Sequence, residues 1–230
     1  HRDLHSFPTR RSSDLHLIIL KKNNIQTWLI SGIFRPQQHF FKPWGGWFRR
    51  QLHCFEHFFV QNQQSGKLLE SIGYKNFTVG GDTRFDRVLQ VASQAKTIPA
   101  IEQFVTGSFT LVVGSSWPAE EEILARYMNA SNANVKFIIA PHEIDRSHVE
   151  QIVKKFTKTT ILFSQITPQT NLGDTKVLII DNIGMLSSLF RYGNVAFIGG
   201  GFGKGIHNIL EPAVFGIPVI IGPNYKKFRE

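Results

Sequence analysis

The chain is poor in several things, and each scarcity excludes something. Cysteine occurs once, at Cys54. No internal disulfide can form, so the expected setting is a reducing, cytoplasmic one. No apolar run approaches the ~18 residues that a membrane-spanning helix needs. Charged residues make up only 19% against 42% apolar, a balance that builds a core and excludes a disordered chain. No short repeat and no low-complexity tract interrupts the 230 residues, a length that suits one large domain or two small ones. Acidic residues are outnumbered, 17 to 26, giving a formal charge of +9. Such a surface suits nucleic acid, anionic lipid or a phosphorylated substrate, or it is merely soluble. No nucleic-acid recognition motif accompanies the charge, so no nucleic-acid partner is expected.

The two ends lack pattern. "HRDLHSFPTRRSSDL" (1–15) has no start methionine and no periodicity. It resembles a translated sequencing adapter and is set aside from the fold. At the other end "YKKFRE" (225–230) reads as the opening of a helix. The expectation is an internal fragment, open at both ends.

Between them the chain divides. Residues 16–81 read as one lobe, with strands in "IQTWLISGIF" (25–34), "HFFVQN" (57–62) and "NFTVGG" (76–81). Helices are expected from Trp47 and over "QSGKLLESIGY" (64–74). The stretch 35–59 is basic and aromatic together. Arg35, Lys42, Arg49 and Arg50 face anionic lipid and phosphate groups, or the aromatics are core and the charges a solvated face. Its histidines, His39, His53 and His57, have no metal-like partners. Residues 82–107, one helical pattern followed by Pro99, read as the connection between lobes.

From 108 to 230 a regular rhythm begins: strands "FTLVVGS", "VKFIIAPHE", "TILFSQ", "TKVLIIDNIG", "VAFIGGG" and "PVIIGP" alternate with helices. Continuously apolar strands separated by helices predict a parallel sheet covered on both faces, an α/β fold. Ligands of such sheets bind beyond the carboxyl ends of the strands. Polar residues gather there: Ser115 and Ser116, Pro141-His142-Glu143, Asp181 to Met185, and Gly199 to His207. Glu120, Glu121 and Glu122 read as first-turn acids that suit a helix dipole.

The sequence "GGGFGKG" (199–205) puts five glycines in seven positions. It is not a P-loop, because Ile198 stands where the first Gly belongs and Gly205 where Ser or Thr belongs. It is not a dinucleotide fingerprint either, since Ile206 replaces the last Gly. Bare N–H groups and a helix end there suit an anion such as phosphate, with Lys204 adding a cation. Asn208 and Glu211, three apart, share a helix face, where a carboxylate can accept from two sugar hydroxyls. The plainer alternative is a tight turn whose glycines only permit packing.

Four segments in this order, "GSSWPAEEE" (114–122), "APHE" (140–143), "DNIGML" (181–186) and "GGGFGKGIHNILEPAVFGIPVIIGPNYKKF" (199–228), resemble the Kdo transferases, which build the inner core of lipopolysaccharide. "FVQNQQSGKLLESIGYKNFTVGGDTRFDRV" (59–88) is similar to the end of that family's first lobe, with Arg84 where Lys is common. The resemblance covers 16–230. It implies a GT-B glycosyltransferase of two Rossmann-like lobes, both incomplete here, with 108–230 as the donor lobe. It implies transfer of Kdo from CMP-Kdo to the 6′ hydroxyl of a lipid A precursor, with inversion, no metal and no cofactor. It also implies work at the cytoplasmic face of the bacterial inner membrane, against its anionic surface.

By position, the resemblance assigns substrate contacts to Ser115 and Ser116, to Pro141 and His142 (Arg being usual at the latter), and to Gly184, Met185 and Leu186. It further assigns Gly200, Gly201 and Lys204, then Asn208, Ile209, Leu210 and Glu211, with Glu211 on the ribose and Asn208 near the phosphate. The family's general base is a Glu early in the first lobe, outside this stretch, so no catalytic residue is assigned. Two other readings stand beside this one: a GT-B transferase using a UDP-sugar, and a CMP-binding fragment without catalysis.

Overall fold

The computed structural model describes residues 11–203 and 205–225, and for 11–14 the backbone alone. Lys204 and the expected terminal helix beyond Tyr225 lie outside the described residues, as do residues 1–10. The chain forms two compact units that divide between Thr83 and Arg84.

The first unit holds α1 (Arg11–Lys22), β1 (Trp28–Gly32), α2 (Gly46–Leu52), β2 (His57–Val60), α3 (Gln63–Glu70) and β3 (Phe77–Val79). Its strands are parallel in the order β1-β2-β3. Phe34, Phe40, Leu52, Phe58, Val60, Leu69 and Tyr74 form its core. The Asn62 side chain caps α3 by accepting from Ser65 N at 2.9 Å, and Gly73 takes φ +94° just past the helix end, where a left-handed residue costs glycine nothing. Setting 1–15 apart from the fold needs correction: residues 11–15 belong to α1. The apolar turns of "LHLIILKK" carry the helix, and extending it backward costs little once it is nucleated.

The second unit contains α4 (Thr83–Ser93, starting at the boundary), α5 (Pro99–Val105), β4 (Phe109–Ser116), α6 (Pro118–Ala130), β5 (Val135–Pro141), α7 (Arg146–Lys155), β6 (Thr160–Leu162), β7 (Val177–Ile179), α8 (Leu186–Leu189), β8 (Val195–Ile198), α9 (Leu210–Ala213) and β9 (Val219–Ile221). Its sheet is wholly parallel, in the order β6-β7-β5-β4-β8-β9. Strand period two sorts the side chains between two cores. Leu111, Val113, Phe137, Ile139, Val177 and Ile179 pack against Leu124 and Met128 of α6 and Val149 and Ile152 of α7. Val112, Ile138, Leu178, Ala196 and Ile198 face the other way, against Ile101 and Phe104 of α5 and Leu189 and Phe190.

Three helical expectations change. Residues 82–107 carry two helices rather than one, and Pro99 opens the second, where its missing N–H is harmless. Both Ile101 and Phe104 are fully buried, so α5 is a covering layer of the sheet. The helix expected from "MLSSLFRYG" is the single turn α8 followed by a 3-10 turn. The one expected from His207 is only α9, four residues long.

Candidate functional site

The parallel sheet brings the carboxyl ends of β4, β5, β7 and β8 to one rim, and the expected residues sit on it. Close packing joins the loops. Gly199 N donates to Gly114 O at 2.9 Å, and His142 N to Ser116 O at 2.9 Å. A Cβ on Gly199 would lie 2.1 Å from Ser115 O, so only glycine fits beside β4 there. Ser115 itself holds φ +54°. From the β7 side, Leu186 Cδ1 would stand 3.2 Å from a Cβ on Gly114, which puts Leu186 against the middle of the rim.

Three rings clasp the loops after β4, β5 and β8. Trp117 and His207 lie within 10° of coplanar, 6.4 Å apart, and the indole Nε1–H donates to His207 Nε2 at 3.0 Å. His142 stacks on both, 4.5 Å from each ring centre. The half-buried His207 is held below the usual imidazole range by burial and by the neighbouring His142, against an opposing pull from Glu120.

The reading of Glu120 and Glu121 as helix-dipole acids is corrected by their burial: they are 1% and 0% exposed. Glu120 Oε2 accepts from Trp117 N at 2.9 Å. Its Oε1 accepts from Gly200 N at 3.0 Å and Phe202 N at 3.2 Å. Glu121 Oε1 meets Ser116 Oγ at 3.1 Å and His148 Nε2 at 3.0 Å, and Lys155 Nζ lies 3.7 Å from Oε2. Only Glu122 reaches solvent, paired with Arg126 at 3.1 Å.

This alters the physical account of the glycine turn. Its N–H groups are largely engaged: Gly200 and Phe202 by Glu120, Gly203 and Gly205 by Gly200 O at 3.0 and 3.1 Å, and His207 N by Gly199 O at 3.1 Å. The turn already cradles an anion, and that anion is the protein's own carboxylate. A second lock comes from beyond β9, where Asn224 N and Nδ2 donate to Gly201 O and Gly203 O at 2.9 Å each. A Cβ on Gly201 would meet the Gly222 backbone at 2.6 Å, so close chain approach accounts for that glycine.

Asn208 precedes α9 rather than lying on it. Its Oδ1 accepts from Leu210 N at 3.0 Å, and its Nδ2 donates to Glu211 Oε1 at 3.2 Å. The pair therefore presents an oriented carboxylate at the rim. Burial raises the Glu211 pKa above its ordinary value, and the Asn208 amide pulls it partly back. The four-residue helix adds no dipole worth invoking, so the expected helix-end anion site has no helix to supply it. Ser116 is 1% exposed with its hydroxyl given to Glu121, and both serines end β4. Pro141 closes β5. Gly184 takes φ +91° in open space, while Met185 and Leu186 pack on the core below. Ile209 and Leu210 likewise lean on apolar neighbours.

In the first unit, the aromatic side chains of the stretch 35–59 differ in burial. Phe40 and Phe58 are core, whereas Trp44 and Trp47 are 62% and 57% exposed. Among the described residues no helix is long and apolar enough to cross a membrane.

Parallel α/β units with loops gathered on one strand-end rim define the class, a GT-B-like fold. A putative UDP-N-acetylglucosamine 2-epimerase from Listeria monocytogenes shares it, with a TM-score of 0.57 over 91% of this chain and 54% of that one, at 12% identity. Within that class, the family model for 3-deoxy-D-manno-octulosonic-acid transferase (kdotransferase) matches residues 15–87. The 3-deoxy-D-manno-octulosonic acid transferase of Aquifex aeolicus (strain VF5) is 27% identical over 181 residues, 76% of this chain and 46% of that protein. The protein of the same name from Chlamydophila psittaci (strain ATCC VR-125 / 6BC) is 31% identical over 116 residues, 50% of this chain and 26% of that protein. The chain is thus similar to the Kdo transferases along both of its units, and it spans less than half the length of these two relatives.

Proposed function

We propose that the second unit is the donor-binding part of a transferase that moves Kdo from CMP-Kdo to a lipid A precursor during lipopolysaccharide synthesis. The observation that carries this is the likeness to the Kdo transferases, which runs through both units of the chain. The rim chemistry supports it. Glu211, oriented by Asn208, is a carboxylate suited to two ribose hydroxyls. Pro141, His142, Gly184, Met185 and Leu186 line the neighbouring loops, where the base would lie. In this reading Ser115, Gly200, Gly201 and Asn208 surround the phosphate position, with Ser116 supporting them from below, while Lys204 is assigned to the phosphate by its place in the sequence alone.

The departing CMP develops charge that fixed donors at this rim stabilise without reorganising. Inversion at the anomeric carbon requires a general base for the acceptor hydroxyl, and no residue of this chain is assigned that role. The transfer is read as metal-independent. The basic, aromatic surface around Trp44, Trp47, Arg49 and Arg50 faces the anionic acceptor and the inner-membrane surface on its cytoplasmic side in this reading.

Calorimetric titration with CMP, and UDP as control, tests it. Saturable binding of CMP, at least tenfold tighter than UDP, is expected. Equal affinity for the two favours a UDP-sugar enzyme, and no binding by the folded chain removes the donor assignment.

A further inference from the structure

The Trp117–His142–His207 cluster does more than hold loops together. An indole N–H is a donor and never an acceptor. Its 3.0 Å bond to His207 Nε2 therefore requires a lone pair on that nitrogen, and the proton of the neutral ring must sit on Nδ1. Protonating Nε2 would set two donors against each other in a half-buried place, beside the ring of His142 at 4.5 Å. The backbone is pinned as firmly as the ring: His207 N donates to Gly199 O, the residue that fits against Ser115 O only as glycine. Among the described residues Nδ1 has no partner, and it lies between the glycine turn and Asn208 in the chain.

Resting on the donor-site reading above, we propose that Trp117 is a positioning residue: its indole N–H fixes His207 as the neutral Nδ1–H tautomer, and His207 gives that N–H to a phosphate oxygen of the bound nucleotide sugar. Neither residue is among the contacts that sequence likeness assigns. The arrangement supplies a donor that the glycine turn, occupied by Glu120, does not. Among the described residues, two charged or titratable groups face the ring, His142 from the loop after β5 and Glu120 from α6. They act in opposite senses, so the indole bond is what decides the site of the proton.

Imidazole nitrogen NMR of the full chain, with and without CMP, is the first arm. A pyrrole-type Nδ1 and a pyridine-type Nε2 are expected for His207 without ligand, and a shift of the Nδ1 proton on adding CMP. A proton found on Nε2 overturns the proposal, whatever CMP does.

The second arm compares side chains by calorimetry. An Asn amide nitrogen stands near the Nδ1 position and a Gln amide near Nε2. His207→Asn should keep CMP affinity within about threefold, and His207→Gln should lose about tenfold, the usual worth of one hydrogen bond. Trp117→Phe keeps a ring in the stack and removes the N–H. It should cost about tenfold in the natural background and nothing beside His207→Asn, where no tautomer remains to be fixed. Equal costs in both backgrounds would reduce Trp117 to a packing role and overturn the proposal. If the unaltered chain does not bind CMP, the donor reading fails and takes the phosphate contact with it, while the ligand-free spectrum still decides the Trp117 half.

Discussion

At the scale of single residues, Glu211 sets function against stability. Its carboxyl is buried enough to raise its pKa, and the Asn208 amide only partly compensates. A raised carboxylate pKa means that the group's contribution to stability is fully present below its unfolded value and is lost as pH rises through the folded value. Near neutrality the ionised group is therefore a cost to the free protein. Glu211→Gln removes it. The melting temperature of the variant minus that of the natural chain should increase as pH rises from about 4.5, the ordinary value, toward 7. Glu211→Ala should abolish CMP binding, because the acceptor for the ribose hydroxyls is gone. A melting difference that stays flat with pH would show that the ionised carboxylate is well solvated. Undiminished CMP affinity would show that the ribose lies elsewhere.

At the scale of elements, the first turn of α6 is tied to the loop after β8 by one carboxylate. Glu120 takes three backbone N–H groups, from Trp117, Gly200 and Phe202. Glu120→Ala removes the acceptor of all three and leaves these N–H groups without their partner. A buried charge-assisted network broken on one side costs about 3 kcal/mol. Urea unfolding should show that loss, and hydrogen exchange should speed selectively at Gly200 and Phe202. Unchanged exchange at those amides would mean that the glycine turn holds itself together.

This bond also marks the limit of what the sequence reveals. The rhythm of the second unit was legible because continuously apolar strands such as "LVV" and "FIIA" alternate with helical patterns, and the ligand rim followed from parallel topology alone. The role of Glu120 was not legible. "EEE" after a Pro satisfies the dipole rule at every position, and only the phase of α6 on the sheet decides that the first two acids turn inward. The ring cluster was hidden for a different reason. Trp117, His142 and His207 are as much as 90 residues apart, and their meeting depends on the order β5-β4-β8. The motifs quoted for the family did contain all three, so the signal was present without its geometry. Helix α5 was missed because Pro99 reads equally as a stop and as a first-turn residue.

At the scale of the whole molecule, the division between Thr83 and Arg84 predicts unequal behaviour of the two parts. The second unit covers both faces of a six-stranded sheet, with separate apolar clusters on each side. The first has a three-stranded sheet and one cluster, with Trp28 and Ile30 of β1 more than half exposed. Buried apolar area is the main favourable term in folding, so the second unit should be the more stable. Gly80 and Gly81 stand before the boundary with open space around them, and Gly81 takes φ +81°, which makes this stretch the expected point of proteolytic nicking. Limited proteolysis should cut there first, and residues 84–230 should survive as a folded piece. Since Ser115, Pro141, His142, Leu186, His207 and Glu211 all lie within it, that piece should bind CMP within about threefold of the intact chain, a difference under 1 kcal/mol. A folded piece that has lost CMP would place an essential donor contact in the first unit. A piece that unfolds on cleavage would show that the sheet depends on residues before Arg84.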